Sequence, residues 1–198
     1  MGQRLVVTIN KNDRDICKIY YHWSAYSHSA LYKVRELVNC IYNSEDETEN
    51  ELLLRLIRFC EKNGGGIRAD DKEFEYIQEL YPNETFKKED YSRNYGLIAL
   101  SEKGMEDLQY WSEGDVEIDL DEEMIRNGVF SYYECIEYYN EEAAENDEDF
   151  EPLTLDDITD IGYDLGEFAI EDIDYVIEEM HSVDFICRYG NEIYDLVE

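Results

Sequence analysis

The second half of the sequence has almost no basic residues. Past Lys103 there is no lysine, and arginine occurs only as Arg126 and Arg188. Residues 104–198 carry 2 basic and 32 acidic residues, a net charge of −30, whereas residues 1–103 carry 15 and 18, a net of −3. A chain of net charge −33 repels phosphates, so we expect no direct binding of nucleic acid. Adaptation to high salt would acidify the whole chain, so the asymmetry indicates a local purpose.

Long apolar runs, repeats and cysteine pairs are also lacking. No stretch approaches the roughly 20 apolar residues of a membrane span, which predicts a soluble, cytoplasmic protein with no membrane partner. With only 2 prolines, the chain has no low-complexity linker. The cysteines have no CxxC spacing and are interpreted as buried free thiols in a reducing compartment; they are Cys17, Cys40, Cys60, Cys135 and Cys187.

Motifs of catalysis and metal binding are missing as well. The sequence contains no Walker motif, GxGxxG, GxSxG or HExxH, and its 3 histidines have no ligand spacing. The acidic run 147–152 lacks the glycine and the twelfth-position glutamate of an EF-hand, so no specific metal site is expected. We therefore predict a protein without cofactor that is not an enzyme. Paired carboxylates for glycoside hydrolysis remain an alternative, because 50 acidic residues supply a pair in almost any arrangement.

The charge-balanced part, residues 1–94, is predicted to form a β-hairpin and helices. RLVVTI and ICKIYYHW are rich in β-branched and aromatic residues, and the polar KNDRD separates them. Apolar spacing predicts a helix over SHSALYKVRELVNCIY. A capping box at Thr48 begins a second helix, which Asn63 ends, and a third covers Asp71 to Leu80. The GGG run after the second helix lacks a phosphate-binding frame and is interpreted as a cap and a flexible loop.

The strongly acidic part, residues 95–198, is predicted to begin with an antiparallel meander of three strands, YGLIALS, MEDLQYW and VEIDL. The segment 129–142 fits a strand or a helix, and the helix formers EEAAE favour a helix. Acidic helices are predicted after Thr154 and over AIEDIDYVIEEM, followed by a C-terminal hairpin around Gly190-Asn191. The whole chain is thus predicted to be an α+β protein.

The carboxylates of this part are interleaved with apolar residues, which predicts an ordered acidic face. Strict alternation in DVEIDLD places its acids about 6.6 Å apart on one side of a strand, and the acids of the two helices fall at i, i+3 or i+4 spacing. Such rows resemble the regular charge of a nucleic-acid strand. The predicted partner-binding residues are Asp115, Glu117, Asp119, Asp121, Glu141, Glu142, Glu145, Asp147, Glu148, Asp149, Glu151, Asp156, Asp157, Asp160, Asp164, Glu171, Asp172, Asp174, Glu178 and Glu179.

This character resembles that of the DNA-mimic inhibitors carried by phages and mobile elements, which include ArdA-type antirestriction proteins and several anti-CRISPR proteins. The acidic strand 115–121 and the acidic helices from Thr154 to Met180 carry the resemblance, and the closing FICRYGNEIYDLVE is loosely similar to the ArdA-type C-terminal end. The N-terminal RLVVTI and KIYYHWSAYS depart from the ArdA-type pattern. The resemblance implies a protein that binds a Cas effector or a restriction complex and excludes its DNA.

The expected function is therefore stoichiometric inhibition of a basic, nucleic-acid-binding nuclease by charge mimicry. Exposed tyrosines or Trp23 are expected to add specific contacts, because tyrosine and tryptophan are common interface anchors. An acidic adaptor or chaperone for basic proteins remains an alternative, as does a merely solvated acidic face. The sequence leaves open whether two chains pair as a homodimer to lengthen the acidic surface.

Overall fold

The first two strands form the hairpin that the sequence predicts. A computed structural model describes five stretches of the chain, residues 4–25, 27–42, 48–89, 95–129 and 166–178. Within them β1 (Leu5–Asn10) and β2 (Asp15–Tyr21) pair antiparallel. Asn12 and Asp13 turn the chain with φ of 57° and 56°, a left-handed conformation that asparagine and aspartate tolerate better than most residues.

The three predicted N-terminal helices are confirmed. They are α1 (Ser27–Ile41), α2 (Glu49–Lys62) and α3 (Asp71–Leu80). At the start of α2 the Thr48 hydroxyl accepts from the Glu51 N–H at 3.4 Å, while the Glu51 carboxylate accepts from the Thr48 N–H at 2.9 Å. This reciprocal pair is the capping box that the sequence predicts.

The predicted meander is wrong. Where it expects a strand over MEDLQYW, the chain forms a helix, α4 (Glu102–Gln109), which Ser101 caps by accepting from the Gly104 N–H at 3.0 Å. Met105 and Leu108, one turn apart, pack against the sheet, so the apolar period here is that of a helix. The strands on either side of α4 are not neighbours in the sheet.

The described strands form a single eight-stranded mixed sheet in the order β4-β3-β5-β2-β1-β6-β7-β8, so the fold is α+β. The remaining strands are β3 (Gly66–Arg68), β4 (Lys88–Glu89), β5 (Leu97–Ala99), β6 (Gly114–Asp119), β7 (Met124–Asn127) and β8 (Glu167–Ala169). Strand β3 was not expected from the glycine run. Both charge-defined parts contribute to the sheet, because β5 lies between β3 and β2, and β6 pairs in parallel with β1.

The two faces of the sheet bury different apolar sets. On one face Leu5, Val7 and Ile9 of β1 join the main core with α1 and α2. On the other, Val6 and Tyr20 pack with Leu108 of α4. Alternation along β1 therefore supplies both layers, as expected for a strand covered on both sides.

Segment 166–178 completes the described fold. After β8, the 3₁₀ turn Ile170–Asp172 leads into a helix over 173–178. Ile170, Ile173 and Ile177 are buried in the main core, which confirms the apolar stripe predicted for AIEDIDYVIEEM as far as it is described. The predictions for 130–165 and 179–198, including the C-terminal hairpin, lie outside the described residues.

Candidate acidic interface

The alternation predicted for DVEIDLD is confirmed as far as Asp119, where β6 ends, but the expectation that Asp121 lies on the same strand is wrong. Val116 and Ile118 are fully buried in the main core, which places Asp115, Glu117 and Asp119 on the opposite face of the sheet. Asp121 follows in the β6–β7 turn, where its carboxylate accepts from the backbone N–H groups of Asn12 and Asp13. The predicted row of acids is therefore ordered, and its last member ties together two turns at one end of the sheet.

Arg126 of β7 joins carboxylates from three neighbouring segments. Its guanidinium lies 2.8 Å from Glu117, 3.2 Å from Asp119 and 3.2 Å from Glu167, and it also bonds Glu122. The hydrogen bond to Asp119 is the largest cause of the raised pKa of Arg126, so this side chain stays charged. One cation thus holds four carboxylates, and the group as a whole remains negative.

Asp119 has a structural task within this group. Its side chain is nearly buried and accepts from the backbone N–H groups of Asp121 and Glu122, each at 3.0 Å. The bond from the Glu122 N–H is the largest cause of a lowered pKa of Asp119, and Arg126 lowers it further. The ionised carboxylate therefore fixes the β6–β7 turn.

Two acidic segments meet at this end of the sheet. The Ile170 N–H donates to the Glu123 carbonyl at 2.9 Å, which brings the β6–β7 turn against segment 166–178. The exposed carboxylates of the two segments form what we call the acidic edge: Asp121, Glu122, Glu123, Glu167, Glu171, Asp172 and Asp174.

The acidic edge has few cations within reach. Besides Arg126, only Arg35 of α1 forms an ion pair with it among the described residues, at 3.1 Å from Asp174. Glu123, Glu171 and Asp172 have no basic partner in that part of the chain. A groove of about 500 Å³ lies between part of the acidic edge and Val38, Asn39 and Tyr42 at the end of α1; the acids that line it are Glu122, Glu123, Glu171 and Asp174. These four carboxylates thus line a concave surface.

Of the predicted site residues, the described part contains eight. Glu171, Asp172 and Asp174 join Asp121 at the acidic edge, Glu178 is exposed on the same helix, and Asp115, Glu117 and Asp119 lie along β6. The others lie outside the described residues; these are Glu141, Glu142, Glu145, Asp147, Glu148, Asp149, Glu151, Asp156, Asp157, Asp160, Asp164 and Glu179.

Sequence reasoning missed three members of the acidic edge. Glu122 and Glu123 extend the acidic run that begins at Asp119, so a count of consecutive acids at a hairpin turn could have found them. No sequence signal marks Glu167, because it reaches Arg126 only through the pairing of β7 with β8.

Other chemistry has little support in the described residues. They contain no group of three or more histidine, cysteine or acidic side chains that could hold a metal ion. Cys17 and Cys60 are free and buried, as expected, whereas Cys40 is free but only half-buried. Burial raises the pKa of the Cys17 and Cys60 thiols, so neither is an activated nucleophile. Among the described helices, none has the length and apolar composition needed to cross a membrane.

Comparison of the chain with protein-family models, with curated proteins and with solved structures finds no match. Function therefore has to be inferred from the geometry and charge of the acidic edge.

Proposed function

We propose that the protein is a non-catalytic inhibitor whose acidic surface imitates the phosphate charge of nucleic acid. Its partner is the basic DNA-binding groove of a defence nuclease in the cytoplasm, a Cas effector or a restriction enzyme. The acidic edge is the observation that supports this proposal. Two folded segments place its carboxylates close together, and these carboxylates outnumber the cations that pair with them.

The order of these carboxylates supports mimicry over a merely solvated face. Within the acidic edge, Asp121 is hydrogen-bonded to a backbone N–H group, and Glu122 is held by Arg126. Side chains already fixed in the free protein lose less conformational entropy on binding, which favours a specific complex. A solvated surface has no need of such fixing, and natural surfaces usually mix charges of both signs.

The charge of the whole C-terminal part supports a polycationic partner over a metal ion. Residues 104–198 carry a net charge of −30, and such a surface attracts a basic groove over long range, with an affinity that salt screens strongly. A metal site would instead need oxygen ligands that converge on one point.

The test is a competition experiment. Labelled target DNA is bound to a purified Cas effector with its guide, and in parallel to a type I restriction enzyme, and the protein is added at low and at high salt. We expect stoichiometric displacement of DNA from one of the two, with less displacement at high salt.

A matched pair of variants separates geometry from net charge. The edge variant carries Glu122→Gln, Glu123→Gln, Glu171→Gln and Asp172→Asn. We expect that displacing half of the DNA takes at least about tenfold more of this variant than of the wild type, because several interfacial charge contacts are lost. The control variant neutralises exposed acids of α3 and α4, namely Glu75, Glu79, Glu102 and Glu106, and is expected to displace DNA nearly as well as the wild type.

Two outcomes would count against the proposal. If the edge variant and the control variant lose DNA displacement equally, net charge rather than the geometry of the acidic edge determines inhibition. Binding of many basic proteins without displacement of DNA from either nuclease would support the acidic adaptor instead.

A further inference from the structure

A second exposed surface, far from the acidic edge, consists of aromatic rings. Trp23 follows β2, and Tyr110 and Trp111 follow α4; their exposed fractions are 42%, 86% and 52%. Together with His22 we call these residues the aromatic surface. Adjacent exposed apolar side chains often mark an interaction site, and tryptophan and tyrosine are enriched in interface hot spots.

A buried ring holds the aromatic surface in place. Tyr20 is 3% exposed, and its ring meets that of Trp111 edge-on, with centroids 6.2 Å apart and planes at 80°. The Tyr20 hydroxyl hydrogen-bonds Nδ1 of His22 at 2.7 Å, and the His22 ring packs against Trp23 at 4.8 Å. These contacts connect the two tryptophans through one fixed chain of rings.

The aromatic surface and the acidic edge lie at opposite ends of the central strands. Trp111 comes before β6 in the chain, and the acidic β6–β7 turn comes directly after β6. The strand from Gly114 to Asp119 spans about 17 Å at roughly 3.3 Å per residue. A small ligand bound at one end therefore does not touch the other, although a protein partner could cover both.

The surroundings of these rings favour a cation. Asp115 accepts hydrogen bonds from the Gln109 amide and the Ser112 hydroxyl, both at 2.7 Å, and has no ion pair within the described residues. Tyr110 is the C-cap of α4, and the carbonyl end of a helix attracts positive charge. Nucleic-acid bases would also stack on such rings, but a chain of net charge −33 repels their phosphates.

We propose that the aromatic surface binds arginine side chains of the basic partner, which makes this inference dependent on the proposed function. A guanidinium lies flat on an aromatic ring and gains both stacking and cation–π attraction. An ammonium group is more strongly hydrated and does not stack. The aromatic surface therefore selects arginine, whereas the acidic edge attracts both cations.

The chain contains only 2 tryptophans, Trp23 and Trp111, so its tryptophan fluorescence reports on the aromatic surface alone. The full-length protein is titrated with an arginine-rich peptide and with a lysine peptide of the same length and charge, and quenching by neutral acrylamide is recorded. We expect the arginine peptide to protect the tryptophans from quenching and the lysine peptide to protect them much less.

Variants test the same point by fluorescence anisotropy of labelled peptides. Trp111→Ala is expected to weaken binding of the arginine peptide by about 3- to 30-fold and to leave the lysine peptide nearly unchanged, while Trp111→Phe keeps most of the affinity. Tyr110→Ala should lose affinity, whereas Tyr76→Ala, which removes an exposed tyrosine of α3, should not.

Equal binding of both peptides without protection of the tryptophans would overturn the inference and leave the proposed function standing. Failure of both peptides to bind would overturn the inference, and absence of DNA displacement in the competition experiment would independently overturn the proposed function. Protection by a single-stranded oligonucleotide but not by the arginine peptide would assign the surface to nucleic acid and also overturn the inference.

Discussion

The carboxylate of Glu73 lies so close to Gly104 that a β-carbon at position 104 would stand 2.1 Å from Glu73 Oε2. Glu73 is buried on α3, and it accepts from the Leu100 N–H at 2.6 Å and the Ser101 N–H at 3.2 Å, at the start of α4. An anion in this position satisfies backbone donors and favours the helix N-terminus. A side chain from the N-terminal part thereby supports the start of α4, which Ser101 caps.

Gly104→Ala should therefore destabilise the fold. The new methyl group would force the buried carboxylate away from its donors, and we expect a loss of about 1–3 kcal/mol in the free energy of unfolding, as for other overpacked sites. Urea denaturation followed by circular dichroism measures it. Lys103→Ala is the control, because Lys103 is exposed in the same turn and should change stability by less than about 0.5 kcal/mol. A Gly104→Ala variant as stable as the control would refute the close packing.

Glu73→Ala should also destabilise the fold, because it removes atoms from the site that Gly104→Ala would overfill. It opens space but leaves the buried N–H group of Leu100 and the partly buried one of Ser101 without their Glu73 acceptor, and a buried unpaired group costs about 1–3 kcal/mol. Glu73→Gln retains one acceptor oxygen and should lose less free energy of unfolding than Glu73→Ala. Amide hydrogen exchange gives the direct readout, since the Leu100 amide should lose protection in Glu73→Ala. Unchanged protection there would show that Glu73 is not needed as an acceptor.

Elements whose formation depends on neighbouring residues could be predicted from the sequence, and elements that depend on distant residues could not. The capping box at Thr48 and the apolar spacing of α1 and α3 involve neighbouring residues, so those helices were predicted correctly. The start of α4 is supported by Glu73, which is distant in the chain, and the short apolar pattern of α4 alone does not distinguish a helix from a strand. The parallel pairing of β1 with β6 likewise joins distant segments and leaves no mark in either one.

The acidic edge could be predicted only in part. Alternation along β6 gave the face occupied by Asp115, Glu117 and Asp119, because side-chain direction in a strand follows from its period. The same pattern could not reveal that Arg126 gathers carboxylates from β6, β8 and the turn between β6 and β7. That arrangement depends on strand register, which tertiary packing determines.

Arg126→Ala should weaken the edge of the sheet formed by β7 and β8. It leaves four carboxylates close together without their shared cation. We expect a loss of about 1–2 kcal/mol, between the values for exposed and for buried ion pairs. The loss should shrink as salt is added, because ions screen the repulsion. Thermal unfolding at several salt concentrations tests this, and Arg14→Ala, which removes an exposed pair with Glu49, is the control.

A loss that does not vary with salt would mean that packing of the Arg126 side chain, rather than its charge, stabilises the edge.

The lowered pKa of Asp119 predicts how stability depends on pH. The carboxyl group has a lower pKa in the folded chain than its ordinary value of 3.8, first because of the hydrogen bond from the Glu122 N–H. A group of this kind contributes stability above its unfolded pKa and loses that contribution as the pH falls through the folded value. Stability measured by urea denaturation should therefore decrease below about pH 4.

Asp119→Asn isolates this contribution, because the amide oxygen can still accept one hydrogen bond but does not titrate. The variant should be less stable than the wild type by about 1–3 kcal/mol at neutral pH, and the difference should narrow as the wild-type carboxylate becomes protonated in acid. Glu113→Gln is the control, since Glu113 also has a lowered pKa but is paired with Arg4 at the other end of the strand. Two stability curves that stay parallel down to acid pH would show that ionised Asp119 does not stabilise the β6–β7 turn.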